Sequence, residues 1–268
     1  NGFLNNMFSS SSIFPNNYGK NNSNIRDYVD SLGTHSYWAS TSDREKVAST
    51  LAGNALTNNY NAIKKVRCTE YCQMTNDGNS GVYGLIQKEG TTNGLGIEYG
   101  LALADIMHQD LTILNAVEWD WWVAVGPGVY PDALIYVNKE NHNDVQTSKR
   151  LWVMGNYARF IEDGAKRVSV STGSNFAKNL VTNTTYSKNN YIEQTAYQNP
   201  DGTVVVVYIN NSDTNEYTKF SSSDYKKFET YVTDESRDLE KYQSGNTNVA
   251  VSIPAKSVTT VVLTPNAQ

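Results

Sequence analysis

Two stretches of this sequence combine residue types able to do chemistry. Residues 63–74, IKKVRCTEYCQM, place the carboxylate of Glu70 at the far end of a short apolar run. Residues 111–125, LTILNAVEWDWWVAV, form a second apolar run that breaks into Glu118, Trp119, Asp120, Trp121 and Trp122. A carboxylate ending one strand beside an aromatic wall on the next suits the mouth of a (β/α) barrel that holds a sugar ring. The aromatic faces stack on C–H surfaces and the carboxylate reaches the anomeric carbon. The bland alternatives are a solvated Glu70 at a strand end and tryptophans that merely fill the core. Glu118 and Asp120 alternate with Trp119 and Trp121, so they are expected to face the outer helices or the rim rather than a pocket.

The elements that must position these groups follow from the pattern. SLGTHSYW, residues 31–38, reads as a strand with Leu32, Thr34, Ser36 and Trp38 on one side and Gly33, His35 and Tyr37 on the other. Thr41, Ser42 and Asp43 offer N-caps for a helix over about 44–65, with Val47, Leu51, Ala55 and Ile63 inward. The strand VRCTEYC, an open glycine-rich loop over 75–96, a helix over 97–109 and the strand TILNAVEW come next. Strands this apolar, alternating with helices, predict a parallel sheet covered by helices. A further helix over 147–160 precedes a stop at Asp163-Gly164. From about residue 167 the texture becomes β-branched runs between Asn, Asp, Gly and Ser turns: RVSVS, IEQTAYQ, TVVVVYIN, KKFETYVT and SVTTVVLT. That pattern predicts a β-sandwich.

Composition narrows the ligand. The chain has 268 residues with a net charge of -5, only 18% charged residues, and 18 Tyr and 5 Trp. Without a basic footprint a nucleic-acid partner is disfavoured, and no apolar run approaches a membrane span. Such a surface suits polar, uncharged ligands. Cys68 and Cys72 are expected to be two small buried thiols, since positions four apart on a straight strand lie roughly 13 Å from each other. They lack a second Cys or His pair, so no metal and no cofactor is expected. His108 and His142 are expected at the surface. The opening Asn1-Gly2-Phe3 carries no signal-peptide pattern and reads as the interior of a longer polypeptide.

SLGTHSYW, VRCTEYCQM, NAVEWDWW, SKRLWVMGNYARFIEDGAKRV and IPAKSVTTVVL occur in order and resemble consecutive blocks of glycoside hydrolase family 30. The resemblance implies the C-terminal part of a (β/α)8 TIM barrel, strands six to eight, over residues 1–164, joined to a side β-sandwich over 165–268. The sandwich would be a fixed partner of the barrel, with residues 253–255 and SVTTVVL as a late edge and a final strand. The resemblance also implies a retaining glycosidase that is secreted or held at the cell surface. Glu70 would be its nucleophile, Tyr37 the residue that orients it, and His35 a neighbour in the site or just beneath. Trp121 would be the sugar platform, with Trp119, Trp38, Gln73, Asn76 and Tyr130 as further substrate contacts.

The spelling NAxxWxWWxAV most resembles the endo-β-1,6-galactanase branch; β-1,6-glucan and xylan are the substrates next in line. The family's acid/base sits in an Asn-Glu-Pro motif that this chain lacks. That group would come from an N-terminal half of the same enzyme. The other reading is a non-catalytic carbohydrate-binding or structural fragment.

Overall fold

The computed structural model of the chain describes residues 29–57, 65–73, 95–126, 132–138, 141–170, 192–220 and 224–266. They fall into two compact units. The first takes the described residues up to Cys72 together with Gln109–Trp122; the second takes Gln73–His108 and the described residues from Val123 on.

The first unit contains the β/α pattern. Strands β1 (Ser31–His35), β2 (Lys65–Glu70) and β3 (Ala116–Trp119) form a parallel sheet in that order. Register brings His35 opposite Glu70 and Cys68 opposite Trp119, so the strands end together at their C-terminal rim. Helix α1 (Thr41–Thr57) leaves β1 earlier than expected. The cap is Ser40 rather than residues 41–43: the Asp43 amide donates to Ser40 Oγ at 3.2 Å and the Ser40 amide donates to Asp43 Oδ2 at 3.1 Å. This reciprocal pair satisfies donors that the first helical turn would leave orphaned.

Helix α2 (Ile97–Thr112) contributes its last turn to this unit. Asn115 then takes a left-handed conformation, φ 54, which its short polar side chain tolerates. The strand therefore starts at Ala116 and not at residue 112. β1 also stops short. Residues 36–39 form a turn closed by the Ala39 amide on the Ser36 carbonyl at 3.3 Å, and Trp38 has φ 54. The alternation expected through Trp38 ends at this turn.

The second unit contains the antiparallel sandwich. β7 (Lys166–Val168), β8 (Ile192–Gln198), β9 (Val204–Asn210), β11 (Tyr225–Thr233), β12 (Glu240–Asn246) and β14 (Ser257–Pro265) form one sheet, ordered β12-β11-β14-β9-β8-β7. β10 (Glu216–Thr218) and β13 (Val251–Ile253) pair as a second sheet. Ile192, Ala196, Val206, Tyr208, Phe228 and Leu263 pack with Val251 and Ile253 to make the core between them.

The opposite face of the large sheet is covered too. Asn156 of helix α3 (Lys149–Ala158) donates to Thr260 Oγ1 at 2.9 Å and accepts from Thr233 at 2.6 Å. β9 is therefore buried almost throughout, which is why its sequence is a continuous apolar run rather than an alternation. β14 lies mid-sheet between β9 and β11.

Three further differences concern this unit. The stretch between β3 and α3, to which the pattern assigned no strand, forms a small sheet of β4 (Val125–Gly126), β5 (Ile135–Val137) and β6 (Val145–Thr147). Helix α3 ends at Ala158, and Gly164, φ 82, serves a later turn in which the Ala165 amide reaches the Glu162 carbonyl. His108, expected at the surface, lies mostly inside, with 13% of its side chain exposed, because α2 is covered on nearly every side. Small residues allow that closeness: a Cβ on Gly100 would lie 2.9 Å from Val153 of α3. His142 is exposed.

The inward Ile63, residues 75–94 of the glycine-rich loop with Asn76, and Tyr130 lie outside the described residues, as does Ala55's side chain.

Candidate active site

The C-terminal rim of the parallel sheet gathers Glu70, Tyr37, His35, Trp38, Trp119 and Trp121. Glu70 is the last residue of β2 and is half-buried. The Tyr37 hydroxyl donates to its Oε1 at 2.9 Å and lies 3.6 Å from Cys72 Sγ. Burial, with Cys72 and Glu70 beside it, raises the Tyr37 hydroxyl well above its ordinary pKa, so it remains a proton donor to the carboxylate. His35 is exposed and meets the Tyr37 ring edge-on at 5.9 Å.

Behind these groups runs a continuous aromatic chain. Tyr37 stacks on buried Tyr71 at 5.4 Å, and Tyr71 touches Trp119 at 5.7 Å and Trp121 at 6.0 Å. The two tryptophans lie 6.5 Å apart. The chain backbone fixes this wall: the Tyr71 amide donates to the Asp120 carbonyl at 3.1 Å and the Trp122 amide to the Tyr71 carbonyl at 2.9 Å. Trp119 and Trp121 are half-buried, while Trp38 and Trp122 are exposed at 53% and 52%. Trp38 packs its ring against Tyr37 at 5.7 Å. An aromatic wall, partly open to solvent and bordering a carboxylate with a hydroxyl donor, can bind the apolar face of a sugar and present a nucleophile to it.

Gln73 is the site residue that the structure removes from solvent. It is 1% exposed; its Nε2 donates to the Tyr99 carbonyl at 3.0 Å and its Oε1 accepts from Arg150 at 2.9 Å. Each end of the amide bonds the protein and the side chain is closed off from solvent, so it does not face a sugar hydroxyl. Gln73 lies beyond the end of β2, and the expected substrate contact is not made there.

Glu118 turns away from the tryptophans and pairs with Arg67 of β2. Asp120 is exposed; partial desolvation of its carboxyl group, with Glu118 beside it, raises its pKa. Cys68 and Cys72 are free and buried. Burial, with Asp110 nearby, pushes the Cys68 thiol up to about 12, so it is an inert filler rather than a nucleophile.

Sequence reasoning did not single out Asp110. It is fully buried near the end of α2 and accepts from Ser36, Arg44 and the Trp119 indole. The signal available was an aspartate in the last turn of a helix, where the macrodipole disfavours a negative charge. Such a position demands a compensating cation. Among the described residues no group of His, Cys, Asp and Glu could hold a metal ion.

Comparison with known proteins bears on this arrangement. The family model described as O-glycosyl hydrolase family 30 matches residues 3–136, and the one described as glycosyl hydrolase family 30 beta sandwich domain matches residues 164–261. The fold is similar to that of a conserved exported protein from Bacteroides fragilis, with TM-score 0.68 and 24% identity over 87% of this chain and 45% of that one. It is also similar to a GH30 endoxylanase from Clostridium papyrosolvens, with TM-score 0.61 and 19% identity over 99% of this chain and 59% of that one. A third similar structure is the catalytic domain of GH30 xylanase C from Talaromyces cellulolyticus, with TM-score 0.53 and 18% identity over 90% of this chain and 66% of that one. This chain thus spans 45% to 66% of the length of these structures.

Proposed function

The chain belongs to glycoside hydrolase family 30, and from that membership we propose that the enzyme is a retaining, endo-acting hydrolase of a neutral β-linked polysaccharide with Glu70 as nucleophile. The observation that carries this reading is the 2.9 Å hydrogen bond from Tyr37 to Glu70 at the foot of the aromatic wall. The tyrosine holds one carboxylate oxygen and fixes the plane of the group, which leaves the other to approach the sugar.

In the first step Glu70 attacks the anomeric carbon while a general acid protonates the leaving glycosidic oxygen. The C–O bond breaks and a glycosyl ester to Glu70 forms. In the second step the same acid/base, now a carboxylate, takes a proton from water; the water attacks the anomeric carbon and Glu70 leaves as carboxylate. The acid/base comes from a segment outside this chain, which has no Asn-Glu-Pro motif.

The substrate class follows from charge. Residues 71–87 and 119–138 contain no Lys or Arg, so the segments after β2 and β3 supply almost no cation for an acidic decoration. Stacking on Trp121 suits a neutral sugar. Within that class the NAxxWxWWxAV spelling favours β-1,6-galactan. Action on such a polymer fits an exported enzyme, and among the described residues no helix is long and apolar enough to cross a membrane.

The test is made in the complete enzyme. Glu70→Gln is expected to lower kcat by roughly a thousandfold or more while glycan binding persists. Glu70→Ala is expected to regain turnover with azide and to release an α-glycosyl azide, since azide then attacks from the face that Glu70 occupied. Wild-type turnover in Glu70→Gln sinks the assignment. Substrate is read from products on β-1,6-galactan side chains, pustulan and glucuronoxylan. Preference for glucuronoxylan defeats the charge argument, whereas preference for pustulan defeats only the choice of galactan.

A further inference from the structure

The turn at residues 36–39 carries Tyr37 and Trp38 as its two central residues, and one of them sits in a costly conformation. A non-glycine residue in the left-handed region costs roughly 1–2 kcal/mol, and bulky Trp38 is there at φ 54. Such strain persists where the surroundings over-determine it. Here both ends of the turn are gripped. At its start the Ser36 hydroxyl lies 2.7 Å and 2.8 Å from the two oxygens of Asp110. At its end the Ala39 carbonyl accepts from Arg44 Nη1 at 2.7 Å, and Arg44 Nε donates to Asp110 Oδ1 at 2.7 Å. From β3 the Trp119 indole N–H donates to Oδ2 at 2.9 Å, and the Cys68 thiol of β2 lies against the same carboxylate. Ser36 and Arg44 are 2% exposed and Asp110 is 0% exposed.

We infer that Asp110 is a positioning residue: one buried carboxylate locks the Tyr37–Trp38 turn and the Trp119–Trp121 pair to each other, so that nucleophile orientation and sugar platform are set together. The inference rests on the reading of Glu70 as nucleophile. Asp110 touches neither substrate nor Glu70 and acts through Ser36, Arg44 and Trp119. Aspartate suits this place because its two oxygens can accept the Ser36, Arg44 and Trp119 donors at once and its charge neutralises Arg44 in the interior. Asparagine has one acceptor oxygen and no charge, so it cannot serve all three.

Removing the carboxylate leaves Arg44 buried without its counter-charge, so the test does not rest on Asp110 variants alone. In the complete enzyme, Ser36→Ala loosens only the turn and is expected to lower kcat about tenfold with KM held within about twofold. Trp119→Phe keeps a ring but removes the N–H, and is expected to raise KM several-fold with kcat held. Asp110→Asn is expected to do both, and adding Ser36→Ala to it is expected to cost less than about twofold more. Rates are normalised to the folded fraction, so loss of protein alone cannot mimic the result.

Additive losses in the Asp110/Ser36 cycle, or unchanged kcat and KM in the folded fraction of Asp110→Asn, overturn the inference. Azide rescue of Glu70→Ala tells its failure from that of the underlying reading. Rescue with additive losses overturns the role of Asp110 alone; coupled losses without rescue keep the positioning unit and overturn Glu70 as nucleophile.

Discussion

The Tyr37 hydroxyl donates to Glu70 from the neighbouring parallel strand's turn, while its ring lies stacked on Tyr71, the residue after Glu70. The aromatic stack fixes the direction of the O–H, and the hydrogen bond fixes the carboxylate. Tyr37→Phe preserves the stack and deletes only the donor. It is expected to lower kcat by about ten- to a hundredfold with little change in KM, since the bond acts on the attacking group rather than on bound sugar. Steady-state kinetics of the complete enzyme check this. A rise in KM at constant kcat would show that Tyr37 contacts the sugar instead.

Glu118 sits beside the tryptophans in sequence, yet its carboxylate is committed to Arg67, each side chain being 38% exposed. Pairs this exposed contribute about 0–1 kcal/mol. Glu118→Gln is therefore expected to leave kcat and KM unchanged and to cost less than about 1 kcal/mol in denaturant unfolding. A hundredfold fall in kcat would make Glu118 an acid/base candidate.

Gln73 links the carbonyl of Tyr99 to buried Arg150, which also donates to the Ala133 carbonyl at 3.1 Å and the Tyr136 hydroxyl at 2.8 Å. Gln73→Leu leaves one buried acceptor and one buried cation each short of a partner, so a loss of about 1–3 kcal/mol is expected. Glycan affinity, measured by calorimetry on the folded protein, is expected to stay unchanged. Weaker binding without loss of stability would place Gln73 back in the sugar site.

Mostly buried His108 of α2 and buried Glu193 of β8 give the stability opposing pH slopes. Burial, with Arg167 nearby, lowers the His108 pKa from 6.5 to about 4; burial, with the Asp105 carboxylate beside it, raises Glu193 well above 4.5. In the unfolded chain His108 takes its proton near pH 6.5 while the folded chain waits until about 4, so its contribution is lost as pH falls across that window. Glu193 behaves oppositely. The unfolded chain releases its proton near pH 4.5 and the folded chain holds it longer, so that contribution is lost as pH rises toward the folded value. Glu193→Gln is expected to expose the His108 slope, with melting temperature falling from pH 6.5 to 4. His108→Asn is expected to expose the other, with melting temperature falling as pH rises above 4.5. Flat profiles in both variants would refute the assignment.

The sequence disclosed the layers of this fold better than their edges. Val204–Asn210 is apolar enough to announce a strand covered on both faces, and the structure covers both. Glu240–Asn246 gave no such signal because β12 is the edge of its sheet and mostly exposed, so selection for apolar residues is absent there. The rim residues Glu70 and Tyr37 were legible through their blocks, whereas Trp38 was misplaced because period-two reasoning has no means of seeing a left-handed residue. Asp110 escaped notice for a different reason. Its partners lie 66 and 74 positions away along the chain, and no local pattern records a contact at that range. Gln73 was misjudged for the same reason, since Arg150 is 77 positions distant.

The place of β14 in its sheet has a consequence for biosynthesis. It is translated after β9 and β11, yet it lies between them and bonds to both. Until residues 257–265 leave the ribosome, the nascent sandwich exists as separate pieces: β8 and β9 on one side, β11 and β12 on the other, each with an open edge where the missing strand belongs. Those edges are the apolar, unpaired kind that other chains can capture. Closure of the sheet is thus a late, single insertion, and the interval before it is when this protein is most exposed to misassembly and to chaperones.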